Sequence, residues 1–482
     1  MKMQDRPNIL ILMADEFRGD CLGYAGHPDV KTPYLDSLAQ GGVYFPNAYS
    51  SCPTCVPARA VFHTGLTPEH CGRVGYQDGV PWNYGRTIGS ELTKLGYQTI
   101  NVGKMHVAPL RNNLGFESVE LCDGYMHYWR RPETPYHEDQ RIADDYYWWL
   151  KNEKGIAADV SDTGLDCNAW PARPWIYDEM SHPTNWVTTR SLDFLRRRDR
   201  RRPFLLCASY VRPHAPYDAP QRYFDIYGSK RLSPPHYGDW DDERITREEG
   251  RTFNSSAAPA DPELVTQMRE GYYACISHLD HQIGRIIIEL IEQRLYDDTV
   301  IIFVSDHGEM LGDHRMVRKS LPYEGSARIP LIVSGGRRFI GGPRTDDRVA
   351  GLEDILPTLL TLSGGDPSGL DGLDLLGGEK REYLHGEHVF EWRRMSNHYI
   401  VTGRDKYIWF AETGREQYFD LSSDRYETHE ASADAPGRVA ELREILKKEL
   451  SGRPEGFVED GKLVPRPGKL HAMLDNAADS CC

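Results

Sequence analysis

The chain predicts an α/β domain built on a largely parallel central sheet flanked by helices, followed by a smaller C-terminal α+β subdomain. Three observations predict this. Four short runs rich in Ile, Val, Leu and Phe lack polar alternation, the pattern of strands buried on both faces. Helical spacings lie between those runs. A Gly-rich stretch, Gly364-Gly365-Asp366-Pro367-Ser368-Gly369, then separates them from shorter strand-like pieces.

In chain order the runs are Asn8 to Ala14, Gln98 to Val102, Phe204 to Val211 and Val300 to Ser305, and Ile329 to Ser334 adds a further strand. The first follows Lys2 and Arg6, as in a signal peptide, but it is short and runs straight into Asp15-Glu16-Phe17-Arg18, so it reads as a strand. Leu264, Met268, Tyr272, Ile276, Leu279, Ile283, Ile287 and Leu290 recur at helical spacing, which predicts a long helix from Leu264 to Arg294 packed on the sheet. The Gly-rich break places the larger domain at 1–364 and the subdomain at 365–482. The latter holds strands at Tyr399 to Thr402 and Lys406 to Phe410, a helix from Gly437 to Leu450 and a Pro- and Gly-containing tail.

With 482 residues, of which 39% are hydrophobic, the chain can bury an ordinary core. Its formal net charge of -15 repels polyanions, so nucleic acid and anionic membrane are excluded as partners and a small substrate is expected. No segment reaches the apolar length that spans a bilayer. Ten cysteines in a chain this long make no dense disulfide framework, and the adjacent Cys481 and Cys482 suit a reducing compartment, so a cytoplasmic location is expected. The arginines at 196–198 and 200–202 invite a nucleic-acid reading. They immediately precede the strand from Phe204, however, at the sheet edge away from where open α/β sheets bind ligands.

Ligands of such sheets bind beyond the carboxyl ends of the strands. Here those ends carry Asp15-Glu16, Gly103-Lys104-Met105-His106, Arg212-Pro213-His214 and Asp306-His307. An Asp there is often a helix cap and a single His is often structural, but four reactive strand ends together make an oxygen-rich site for a divalent cation, with Lys and His around it for a tetrahedral anion.

Ser51-Cys52-Pro53-Thr54-Cys55-Val56-Pro57-Ala58-Arg59 opens a helix, with Pro57 in its first turn. Cys55 thereby sits at the helix N-terminus, where the free N–H groups favour negative charge, and Arg59 leans back toward the same end. Cys52-x-x-Cys55 reads as a redox dithiol or half of a zinc site, although no second Cys pair has zinc spacing; a buried structural thiol is the plain alternative.

A third reading comes from likeness. Cys55-Val56-Pro57-Ala58-Arg59 followed by Thr64-Gly65 resembles the sulfatase signature, in which a maturation enzyme oxidises the Cys to formylglycine. Lys104-x-His106, Pro213-His214-Ala215-Pro216-Tyr217, Asp306-His307-Gly308, Lys319 ahead of Arg328-Ile329-Pro330, and Gln417 to Leu421 follow in that family's order. Glu16, Ala58, His63 and His307 depart from the family's commoner residues; His307 is similar to choline sulfatases and phosphonate monoester hydrolases, which brings in manganese beside the family's usual calcium.

The resemblance implies an alkaline phosphatase-like fold and hydrolysis of a small organic sulfate, with phosphonate or phosphodiester hydrolysis as the neighbouring activity. A non-catalytic anion binder is the reading from another class, and the intact set of Lys104, His106, His214 and Lys319 argues against it. It also implies that Asp15, Glu16, Cys55, Asp306 and His307 hold the metal, that Arg59 and Lys104 steady the nucleophile, that His106 takes a proton from residue 55, and that His214 and Lys319 serve the leaving group. Finally, the aromatic-rich stretch 125–150, with Tyr125, Tyr128, Trp129, Tyr136, Tyr146, Tyr147, Trp148 and Trp149, reads either as an insertion walling the pocket mouth or as a packed surface element.

Overall fold

A computed structural model describes residues 6–123, 144–156, 165, 167–228, 230–242, 255–390, 395–468 and 470–474. Twelve strands organise it. The central sheet uses β1 (Asn8–Asp15), β2 (Val43–Tyr44), β3 (Gln98–Gly103), β4 (Ser118–Leu121), β5 (Phe204–Pro213), β6 (Thr299–Ser305), β7 (Leu331–Gly335) and β8 (Arg344–Thr345), in the spatial order β4-β3-β5-β1-β6-β7-β2-β8. Every pairing along it is parallel except those of β7, which runs against both β6 and β2.

Alternation along β1 shows why its run has no polar positions. Leu10, Leu12 and Ala14 enter one buried cluster while Ile9, Ile11 and Met13 enter another, so each face of the strand has its own core. Helices cover the two faces. The Cys55 helix, α1 (Cys55–Thr64), lies on one face, as does α5 (Ile355–Ser363); α3 (Pro183–Arg197) and the long α4 (Pro262–Glu292) lie on the other. The long helix starts at Asp261, whose side chain accepts from the Glu263 N–H, with Pro262 in the first turn.

The arginine run lies at the N-terminal end of β5, and three of its members pair with the chain's own acids. Arg196 meets Glu289 at 2.6 Å, Arg201 meets Asp199 at 2.9 Å and Arg202 meets Glu117 at 2.6 Å.

The second unit is an antiparallel sheet of β9 (Leu384–His388), β10 (Asn397–Val401), β11 (Lys406–Phe410) and β12 (Glu416–Phe419), backed by α6 (Pro436–Glu449). Here alternation is true period two. Ile400, Tyr407 and Trp409 face α6, whereas Tyr399, Val401 and Ile408 face the larger unit together with Met310, Tyr323 and Ala327.

Of the aromatic stretch, Tyr125, Tyr128, Trp129 and Tyr136 lie outside the described residues, as do Cys481 and Cys482. The remainder forms α2 (Asp145–Asn152), where Tyr146 is buried against Trp186 and only Trp148 is largely exposed. For these four residues the structure gives a packed surface helix.

Candidate active site

The carboxyl ends of β1, β3, β5 and β6 converge on the N-terminus of α1. Gly103 makes the turn out of β3: its φ is 105°, and an added Cβ would lie 1.9 Å from the Ser209 carbonyl oxygen. Glu16 and His106 hold positive φ of 67° and 60° without that freedom, backbone strain of about 1–3 kcal/mol each and of the kind found at functional sites.

Four side chains from three elements meet at the centre. Cys55 Sγ lies 3.2 Å from His307 Nε2 and 3.6 Å from Asp15 Oδ1, and His307 Nε2 lies 3.7 Å from Asp306 Oδ1. All four are buried, with donor atoms within 4.8 Å of one another. His307 Nδ1 donates to the Gly308 carbonyl at 2.9 Å, leaving Nε2 free to act as a ligand. This set of two carboxylates, an imidazole and residue 55 fits a divalent cation, and the buried Oε1 of Glu16 has no hydrogen-bond partner. Glu16 itself groups with Asp15 and His214.

Cations surround the cluster. Arg59 Nε donates to Asp306 Oδ2 at 3.0 Å while its Nη1 donates to the Lys104 carbonyl and to Ser209 Oγ, each at 3.0 Å. Lys104 pairs with Asp15. Burial alone would raise the Asp15 carboxyl, but Lys104, His214 and Arg59 hold it well below the usual carboxylate range. Burial does prevail at Glu16, pushing its carboxyl up to about 8 against the pull of Lys319.

Beside the cluster, Glu16 Oε2 lies 3.2 Å from Lys319 Nζ and 3.3 Å from His214 Nε2. His214 Nδ1 donates to the Ala215 carbonyl at 2.7 Å, so Nε2 faces the site. Burial and then Lys319 hold this imidazole well below its usual value. His106 differs: burial and Lys104 oppose its charge, but Asp78 and Cys55 raise it to about 9. The Cys55 contribution belongs to the thiol and disappears if residue 55 is oxidised.

Asp15, Glu16, Lys104, His106, His214, Asp306 and His307 therefore lie in one constellation, with Glu16 beside His214 and Lys319; Arg212 instead pairs with Asp218 at 2.6 Å. The sequence reading missed three supports. Asp78 accepts from His106 Nε2 at 3.1 Å, Asp123 accepts from the Met105 N–H at 2.7 Å and the His106 N–H at 3.1 Å, and Ser209 bonds Arg59. Asp123 follows strand β4 and carried the strand-end signal; Asp78 sits in a loop that carries none.

A family model described as Sulfatase matches residues 7–365. The chain belongs to the sulfatase family. This sulfatase is 45% identical over 470 residues to an arylsulfatase of Clostridium perfringens, covering 95% of this chain and 97% of that one. It is 30% identical over 458 residues to a choline-sulfatase of Rhizobium meliloti, covering 90% and 84% respectively. Its fold is similar to that of a phosphonate monoester hydrolase of Agrobacterium radiobacter, with a TM-score of 0.76 at 25% identity over 92% of this chain and 95% of that one. These likenesses bear out the alkaline phosphatase-like fold expected from the sequence.

Proposed function

We propose that this sulfatase hydrolyses small organic sulfate monoesters, using residue 55 as the nucleophile after its oxidation to formylglycine by a maturation enzyme. One observation carries the reading: Cys55, at the start of α1, is aimed into the buried Asp15, Asp306 and His307 cluster, with the positive side chains of Arg59, Lys104 and Lys319 around it. A thiol has no evident use there, whereas a hydrated aldehyde places two hydroxyls on one carbon.

Asp15, Asp306, His307 and residue 55 would hold the cation, with Glu16 completing the set through its unpartnered Oε1. When bound, the ion supplies positive charge that lowers the pKa of a hydroxyl beside it. The oxygen donors suit calcium, our assignment; the His307 imidazole is the feature that would suit manganese instead.

The remaining chemistry belongs to the side chains. Arg59 and Lys104 fix the carboxylates and the charge at residue 55. His214 Nε2, which shares Glu16 Oε2 with Lys319, would give a proton to the departing oxygen. His106 would take a proton from residue 55, which lets the aldehyde reform as sulfate leaves. The relative at 45% identity supports sulfate over phosphonate as substrate; His307 and the likeness to the phosphonate monoester hydrolase support the second reading. Cys21, Cys52, Cys55, Cys71, Cys122, Cys207 and Cys275 are buried free thiols, which supports a cytoplasmic setting.

A mass spectrum of the Cys55 peptide from active protein tests the nucleophile, together with kinetics on nitrophenyl sulfate and on the phenylphosphonate ester. Formylglycine with faster sulfate hydrolysis is expected. Full activity with every residue 55 still a thiol would sink the assignment, and faster phosphonate hydrolysis would transfer it to the second reading.

A further inference from the structure

Beside the nucleophile lies a chain of polar groups that the reaction as described leaves without a role. Tyr76 donates its hydroxyl hydrogen to Asp78 Oδ2 at 2.5 Å, and Asp78 Oδ1 lies 3.1 Å from His106 Nε2. The Tyr76 ring stands edge-on to the His106 ring at 6.2 Å between centroids. His106 is almost fully buried, its second nitrogen, Nδ1, is buried without a hydrogen-bond partner, and Cys55 is among the groups that raise the pKa of the ring.

A carboxylate only accepts hydrogen bonds, so Asp78 requires the hydrogen of the neutral His106 ring on Nε2 and leaves Nδ1 with its lone pair. Backbone geometry holds the ring there too: the His106 N–H bonds Asp123 at 3.1 Å, and φ at His106 is 60°. The order carboxylate, imidazole, hydroxyl follows the logic by which an acid fixes the tautomer and orientation of a catalytic histidine.

We infer that Asp78 is a positioning residue of this sulfatase, holding His106 with its hydrogen on Nε2 so that Nδ1 accepts the hydroxyl proton of residue 55 as sulfate is expelled, and that Tyr76 holds Asp78 in turn. The inference rests on the proposed reading of residue 55 and His106. In that step the O–H bond of the remaining hydroxyl breaks, its proton goes to His106 Nδ1 and its electron pair forms the aldehyde C=O, while the carbon–oxygen bond to sulfate breaks and sulfate departs with the electron pair of that broken bond.

Asp78→Asn keeps the shape but supplies an amide that can donate to Nε2 and so moves the ring hydrogen to Nδ1. Both His106→Ala and Asp78→Asn should therefore slow only the second half of turnover. On nitrophenyl sulfate, kcat should fall about 10²–10⁴-fold with KM falling in parallel and kcat/KM held, with a stoichiometric burst of nitrophenol and sulfate retained on the protein. An Asp78 that merely supported the fold or bound substrate would instead lower kcat/KM without a burst, and that result overturns the inference while His106→Ala still bursts. A His106→Ala enzyme with no burst overturns the underlying reading and the inference with it. Should Asp78→Asn fail to fold, Tyr76→Phe carries the test: a smaller burst of the same kind supports the relay, and unchanged kinetics overturns it.

Discussion

Each histidine of the site is defined by what its far nitrogen touches. His214 Nδ1 is spent on a carbonyl oxygen, so in the proposed mechanism its chemistry would run through Nε2 on the side of Lys319 and Glu16; His106 spends Nε2 on Asp78, so its chemistry would run through Nδ1. A general acid matters in proportion to how poorly the leaving group departs unaided. Replacing His214 by Ala should therefore slow hydrolysis of an alkyl or sugar sulfate about 10²–10⁴-fold while nitrophenyl sulfate, whose phenolate leaves readily, loses far less. Equal losses on both esters would show that His214 is not the donor. Cys55, Arg59, Lys104, His106, His214, Asp306 and His307 were legible in the sequence because each follows a strand or opens a helix, where the chain's direction fixes what it faces. Asp78, Ser209 and the grouping of Glu16 with His214 and Lys319 were not, since they depend on a loop path and on side-chain directions across strands distant in sequence.

At the scale of elements, the runs buried on both faces were recovered to within about two residues, because a strand with a core on each side has no polar positions to blur it. The two-residue strands β2 and β8 and the four-residue edge strand β4 were missed, as they are too short to show a period. The reversal of β7 was also invisible, since burial fixes composition and not direction. In the C-terminal sheet, β9 and β10 carry a buried pair that should make this element acid-sensitive. His385 Nε2 lies 3.2 Å from His398 Nδ1, and the rings stack at 5.4 Å. Burial and then Arg453 push His385 down to about 4 and hold His398 well below its usual value. A histidine with a depressed folded-state pKa is neutral in the fold but protonates in the unfolded chain below about 6.5, so the unfolded state binds more protons and stability falls as pH drops from 6.5 toward 4. At ~1.4 kcal/mol per pH unit, His385 alone contributes a loss of about 3 kcal/mol by pH 4. His385→Gln should flatten the fall in denaturant midpoint between pH 6.5 and 4, whatever it does to stability at pH 8; a parallel curve would refute the assignment.

Across the whole molecule, the net charge is -15, Arg196, Arg201 and Arg202 of the arginine run pair with the chain's own acids, and no described helix is long and apolar enough to cross a membrane. What makes one molecule of two sheets is polar as well as apolar. Tyr399 donates to the Ser50 carbonyl at 2.5 Å, Tyr323 donates to Gln417 Oε1 at 2.8 Å, and Asn397 reaches the Ser320 carbonyl beside Lys319. At the centre of this contact Lys406, on β11 and fully buried, lies 2.9 Å from Glu324 and 2.8 Å from Glu427 and donates to the Pro322 carbonyl at 2.8 Å. Against the cost of burial, Lys406, Arg425 and Arg328 hold the Glu324 carboxyl down to about 2, whereas at Glu427 burial prevails over Lys406 and the carboxyl is raised. Removing a buried cation leaves its partner charge uncompensated, at a cost of about 3–5 kcal/mol. Glu324 keeps Arg328 at 2.9 Å and Arg425 at 3.2 Å, so the loss should fall on Glu427. Lys406→Met should thus destabilise the protein by about 3–5 kcal/mol in guanidinium melts. Adding Glu427→Gln should restore much of that loss, since the amide carries no charge to strand and still can accept from the Glu324 N–H, which now meets Glu427 Oε2 at 2.7 Å. A double variant no more stable than Lys406→Met would show that Lys406 acts through packing and its bond to Pro322 instead. Because Lys319 and Ser320 stand on the same contact, the single variant should lose activity at the temperature where the C-terminal sheet detaches, and the double variant should regain it at the same temperature as its fold.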